Sequence, residues 1–289
     1  MADNSRAINR VFTRGVINDL LTKGTNEVYN YVVREYINSP ENKTHKEIIS
    51  EIYSYLDKQK RNEYFYMNTL LNRLLGIHSV NTTTALSQVR INKHIADFVM
   101  INGEGKVYEI KTPFDNFDRL SDQIRDYFRA FSKVSLLTSS PGEFERVSSW
   151  LNQLGDMGEA VGIYHMNDID TYFNLTFRRI PQQFDEHLEH ICIFKLLRKG
   201  EYENIIKKHF NELPQVAPVF YFKKCFAMFE QIPLLEAQKL AFDELKKRNK
   251  ITKITFNKIP DELKSVIYFA KLSNKLPKLE QLLETNYRG

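Results

Sequence analysis

From the start of the chain to about residue 78, apolar positions recur three and four residues apart, the period of an amphipathic helix. Ile8, Val11, Ile17, Leu20 and Leu21, then Val28, Tyr31, Val32, Tyr36 and Ile37, predict helices over residues 6 to 38, with Gly24 as the break. Their polar faces carry Arg6, Arg10, Arg14 and Lys23, a basic surface for solvent or for a nucleic-acid backbone. After the loop SPENK at 39 to 43, Thr44 and Glu47 have the spacing of a capping box and open a helix to about Leu56. Another helix is predicted in NEYFYMNTLLNRLLGIHS, with Tyr66, Leu70, Leu71, Leu74 and Leu75 as its stripe and Gly76 as its stop.

The period then shortens. Two apolar runs, 95 to 101 and 106 to 110, flank the turn-rich NGEG at 102 to 105 and predict a β-hairpin. The polar, β-prone stretch before it, through Gln88, Arg90 and Lys93, is a first core strand or a substrate-facing loop. Arg119 to Phe131 predicts a helix, with Leu120, Ile124, Phe128 and Phe131 packing on the sheet. KVSLLTSS at 133 to 140 reads as a buried strand, PGEFERVSSWLNQLGDMG as a helix with a glycine stop, and AVGIYHM at 160 to 166 as another strand. The alternation of Phe173, Leu175 and Phe177 predicts a last one. From Gln183 helices follow, broken at Gly200, Pro214, Pro218, Pro233 and Pro260. Phe220, Tyr221, Phe222, Phe226 and Phe229 read as their core, with base stacking as the alternative. The pattern predicts an α/β (α+β) fold with a mixed central sheet flanked by helices. Its expected parts are an N-terminal helical region over 1 to 58, a core over 59 to 182 and a helical accessory domain over 183 to 289.

Charge changes the picture most at the hairpin. Period-2 geometry puts Glu109 and Lys111 on one face of their strand, and Asp97 lies on the strand before. An even turn, with Ile101 opposite Lys106, would set Asp97 opposite Ile110 and away from both. An odd turn or a bulge at Gly103 or Gly105 would bring all three to one face. Two carboxylates are hard oxygen ligands suited to Mg²⁺ or Mn²⁺, and an ammonium beside them can orient water or neutralise phosphate charge. Gln123 and Tyr127, four apart, share a strip of the next helix.

Asp97 in ADF, the triplet Glu109-Ile110-Lys111, and Gln123 and Tyr127 as Q-x-x-x-Y resemble the PD-(D/E)XK nuclease superfamily, in its exonuclease-like branch. Similar RNEYFY…NTLLN, ADF, YEIK and RL…Q…Y segments occur in a group of bacterial and phage proteins of that superfamily, a likeness covering roughly residues 60 to 138. The resemblance implies a restriction-endonuclease-like core and metal-dependent phosphodiester hydrolysis. Asp97 and Glu109 would be metal ligands, Lys111 the catalytic lysine, and Gln123 and Tyr127 supports of the site. It also implies an acidic residue from a preceding helix, for which Glu63 is preferred over Glu47 and Glu51; the alternative is a first-turn glutamate favoured by the helix dipole. Arg90 and Lys93 are candidate phosphate contacts or solvated side chains.

Composition bounds these readings. The chain has 289 residues, 42% of them hydrophobic, and a formal charge of +5, mildly basic and compatible with a nucleic-acid partner, DNA favoured. Residues 239 to 289 alone hold twelve Lys or Arg against six Asp or Glu, a net +6, which suits a phosphate backbone or an ordinary lysine-rich surface. The two cysteines, Cys192 and Cys225, have no paired spacing, so neither a disulfide framework nor a zinc site is expected. His78 and His94 stand alone and are not read as ligands. No run of about 18 apolar residues and no apolar N-terminal segment occur, so a cytoplasmic protein without a membrane partner is expected. The oligomeric state stays open, a homodimer included. The function expected is that of a Mg²⁺-dependent nuclease, an endonuclease or exonuclease, in phage defence or mobile-element biology. Its rivals are a non-catalytic nucleic-acid-binding protein of the same fold and a helical protein-interaction module.

Overall fold

The computed structural model describes residues 4–59, 61–112, 115, 117–138, 143–166, 175–249 and 251–289. The chain opens with α1 (Asn4–Val11), α2 (Arg14–Lys23), α3 (Glu27–Tyr36), α4 (His45–Gln59) and α5 (Glu63–Ile77). Gly24 ends α2 at φ 76°, its N–H on the Leu20 carbonyl, a conformation that costs glycine little. The capping box forms: Glu47 Oε2 accepts from the Thr44 N–H at 2.8 Å, and Thr44 Oγ1 accepts from the Glu47 N–H at 3.3 Å. Gly76 does not stop its helix, which runs on to Ile77.

Then come β1 (Thr84–Ile91), β2 (His94–Asn102), β3 (Glu104–Lys111), α6 (Leu120–Phe128), β4 (Lys133–Thr138), α7 (Glu143–Asn152), α8 (Asp156–Ala160), β5 (Gly162–Met166) and β6 (Leu175–Arg179). The single helix expected between β4 and β5 is two, separated around Gly155 at φ 56°. Last are α9 (His190–Phe194), α10 (Lys199–Phe210), α11 (Pro218–Phe229), α12 (Leu234–Lys246), α13 (Lys253–Asn257), α14 (Lys264–Phe269) and α15 (Leu276–Glu284). Gly200 lies inside the first turn of α10 instead of breaking the chain, whereas Pro218 occupies a first-turn position of α11, where its missing N–H costs nothing. Phe173, Ser139, Ser140 and Lys250, which carry parts of the sequence reading, lie outside the described residues, as do the side chains of Arg6, Leu175 and Phe177.

The chain folds as two units, one made of residues 1–81 and 251–289, the other of residues 82–250. In the first, α5 is tied to the end of the chain by a buried amide. Asn68 donates to the Tyr53 hydroxyl at 2.9 Å and the Asp261 carbonyl at 2.8 Å, and accepts from the Ser265 N–H at 2.8 Å. Thr44 bridges to Asn286 in the same unit.

The second unit holds a six-stranded sheet in the order β1-β2-β3-β4-β5-β6. The first three strands form an antiparallel meander, β3 and β4 run parallel across the α6 connection, β4 and β5 are parallel, and β6 returns antiparallel. Consecutive strands are neighbours throughout, as short connections favour. One continuous cluster joins Val99, Ile101 and Val107 of the sheet with Ile124 and Phe128 of α6, and with Phe194, Phe229 and Phe242 from the later helices. That shared core carries across the expected boundary at 182/183, because α12 packs on β2 and β3 while α9 to α11 pack on α12 and on one another. Gly105 shows how closely. A Cβ there would lie 2.5 Å from a Phe242 ring carbon and 2.8 Å from one of Phe131, so β3 passes beneath that stacked pair only as glycine. The basic stretch from 239 to 289 is divided between the units, and Arg248 is paired within its own by Glu201, at 2.5 Å.

Candidate active site

The hairpin turn decides where the charges go. Asn102 pairs with Glu104, leaving Gly103 alone at the tip at φ 74°, an odd connection. The ladder then runs Ile101 to Gly105, Val99 to Val107 and Phe98 to Tyr108, and the same register carried one step on sets Asp97 across from Glu109. The ladder itself ends at Phe98 and Tyr108, and the next donor is met by a side chain: Asp97 Oδ2 accepts the Ile110 N–H at 2.9 Å.

Glu109 and Lys111 are both buried, and Lys111 Nζ lies 2.9 Å from Glu109 Oε1. Leu120, Ile124 and Phe128 seat α6 on the sheet, which turns Gln123 and Tyr127, one helical turn apart, towards that pair. Gln123 closes a ring: its Oε1 accepts from Lys111 at 3.0 Å and its Nε2 donates to Glu109 Oε1 at 2.7 Å. The Tyr127 hydroxyl reaches Glu109 Oε2 at 2.7 Å and the Ile95 carbonyl at 3.0 Å; its one proton goes to the carboxylate, the charged and nearer acceptor. Burial first, then the negative charges of Glu109 and Asp97, push the Tyr127 pKa far up, so the phenol stays a neutral donor.

Valence counting identifies what is left for chemistry. A carboxylate offers about four lone-pair sites, and Glu109 receives three donors, two on Oε1 and one on Oε2. An ammonium has three N–H groups, and Lys111 meets two acceptors among the described residues. Among the described residues one acceptor site on Glu109 Oε2 and one donor on Lys111 therefore remain. Among the described residues no group of three or more His, Cys, Asp or Glu side chains is arranged to hold a metal ion. Asp97 and Glu109 are carboxylates, the hard oxygen donors that Mg²⁺ favours.

Glu63 opens α5 in the other unit, an exposed first-turn residue behind the N-cap Asn62, whose side chain accepts the Phe65 N–H at 2.8 Å. Arg90 and Lys93 are exposed, at the end of β1 and in the β1–β2 turn. One buried group had no sequence signal. Asp126, beside Tyr127, takes Asn92 Nδ2 at 2.7 Å, His94 Nδ1 at 2.7 Å, the Lys93 N–H at 3.2 Å and Arg129 at 3.4 Å. Burial raises its pKa, and the donors of Asn92, His94 and Lys93 more than offset that, leaving the carboxyl below the usual aspartate range. Its partners Asn92, Lys93 and His94 lie more than thirty residues earlier in the chain, where no local spacing connects them.

Fold and site together define a mixed α/β protein with C-terminal helices and a buried carboxylate–ammonium centre at the splayed end of a hairpin. Residues 57–266 match the family described as Bacteriophage P4 protein cII, well over half of the chain, and the chain belongs to that family. No curated protein matches it. No solved structure matches it either. No helix among the described residues is long and apolar enough to cross a membrane.

Proposed function

We propose that this protein is a metal-dependent nuclease that hydrolyses phosphodiester bonds of nucleic acid, DNA favoured, through Asp97, Glu109 and Lys111. The observation that carries the reading is the odd turn at Gly103, whose register brings Asp97 to the strand position facing Glu109. The strand and helix order β1-β2-β3-α6-β4 supports a restriction-endonuclease-like core. Asp97 and Glu109 would hold Mg²⁺ or Mn²⁺. When bound, such a cation acidifies a water and stabilises charge on phosphate oxygens. Lys111 offers its third N–H to a phosphate oxygen or the attacking water, while Glu109 and Gln123 hold the ammonium still. Tyr127 fixes the Glu109 carboxylate plane. The cytoplasm is the proposed compartment, and the phage named in the family description supports a mobile-element setting.

The depth of Glu109, 3% exposed and already accepting three donors, favours a second reading, a nucleic-acid-binding protein that no longer cuts. Purified full-length protein incubated with single- and double-stranded DNA and RNA in Mg²⁺ or Mn²⁺ separates the two. Cleavage is expected from the wild type and about 10²- to 10³-fold less from Lys111→Met, the size of losing one preorganised donor. Asp97→Asn keeps an acceptor for the Ile110 N–H, so it reports on the site even if the Lys111 variant folds poorly. Equal behaviour of wild type and both variants on every substrate overturns the nuclease reading.

A further inference from the structure

The aromatic residues of α11 divide into two sets that the sequence does not separate. Cys225 and Phe229 are buried, and Tyr221 and Phe226 are half-buried against the neighbouring helices. Val216, Val219, Phe220 and Phe222 are exposed, Val219 at 79% and Phe220 at 61%. Phe222 also packs its ring against Phe194 and Tyr202, so Val219 and Phe220, with Val216 just before the helix, make up the outward apolar surface. Helical spacing sets Lys223 and Lys224 one turn after Val219 and Phe220, on the same side of the helix. Both lysines are exposed, neither is ion-paired among the described residues, and α11 contains no acid.

We infer that the exposed side of α11 binds single-stranded nucleic acid, one base stacking on Phe220 and the flanking phosphates pairing with Lys223 and Lys224. A phenyl ring beside two unpaired ammonium groups is the combination that sequence-tolerant strand binding uses, stacking for the base and charge for the backbone. The core of a protein–protein interface is depleted in lysine, which argues against a protein occupant. Duplex DNA keeps its bases stacked on one another and offers this ring none. The proposal goes beyond the hydrolytic reading and does not need it.

Fluorescence anisotropy with a labelled oligothymidylate in EDTA tests it, since cleavage is then silent whether or not the protein is a nuclease. Wild type is expected to bind the single strand in preference to a blunt duplex. Phe220→Ala is expected to weaken binding about 5- to 150-fold, with Phe220→Trp restoring it. Lys223→Gln with Lys224→Gln is expected to lower the slope of log affinity against log salt by about 1.4, at roughly 0.7 per phosphate contact. The Phe220 ring is exposed, so an unchanged urea midpoint checks that Phe220→Ala folds. Oligothymidylate binding by Phe220→Ala equal to wild type overturns the proposal. So does an absence of strand binding, or a wild-type dimer in solution that Phe220→Glu converts to monomer.

Discussion

Two buried carboxylates, Glu109 on β3, bonded to Tyr127, and Asp126 on α6, next to Tyr127 in the chain, are satisfied differently. Asp126 accepts two donors on each oxygen, from Asn92, Arg129, Lys93 and His94, and so has no capacity left. Two of those donors come from the β1–β2 turn and a third, His94, from the start of β2, so the group pins that corner to α6. Glu109 accepts three donors, sits beside an ammonium with one N–H unused among the described residues, and lies where the hairpin register, carried one step past its last pair, meets Asp97. Burial alone does not distinguish structure from function here. The two differ in residual valence: a saturated carboxylate can act only as a clamp, whereas an unsaturated one keeps room for a ligand.

The largest expected effect breaks the Glu109 side of this contrast. Glu109→Gln leaves the Lys111 ammonium buried without its counter-charge and should cost about 3–5 kcal/mol in urea unfolding. Adding Lys111→Met should recover most of that stability while leaving any metal-dependent cleavage lost. Recovery of both would make the pair purely structural. Asp126→Asn should cost about 1.5–3 kcal/mol, the worth of hydrogen bonds to a charged group, and leave cleavage by the folded protein close to wild type.

The same variant has a pH signature. The Asp126 pKa is lowered on folding, so its stabilisation is complete above the unfolded value of about 3.9 and is lost as pH falls through the folded value. Acid unfolding of Asp126→Asn should therefore be flatter below that pH than that of the wild type. A parallel acid limb would remove the clamp argument. The smallest effect sharpens the register: Gly103→Ala places a side chain in the left-handed region and should cost about 1–2 kcal/mol, read by thermal unfolding. If it costs nothing, the odd turn is not what holds Asp97 opposite Glu109.

Much of this is legible in the residues. The helix spacings before residue 78 mark α3 to α5 and run α1 and α2 together across the break at residues 12 and 13, and the two apolar runs of the hairpin mark β2 and β3. Side-chain period puts Glu109 with Lys111 and Gln123 with Tyr127, since two residues along a strand or four along a helix share a face whatever surrounds them. The two glycines of NGEG look alike in the sequence and act differently in the fold. Gly103 turns the chain, and Gly105 makes room for Phe131 and Phe242. That difference depends on a helix more than a hundred residues later.

The chain's own periodicity thus determined which residues form helices and strands and which charged pairs lie side by side. Tertiary structure alone decided the partner of each pair. Hairpin register, which a one-residue slip reverses, put Asp97 across from Glu109 rather than from Ile110. Packing put α12 on the sheet and α9 to α11 around it in one continuous core, and left Phe220 in solvent while Phe229 went inside. Asp126 found its donors across a gap that no local spacing encodes. Local periods follow from backbone geometry within a few residues, whereas those pairings follow from closing long loops and filling a shared core, to which the whole chain contributes.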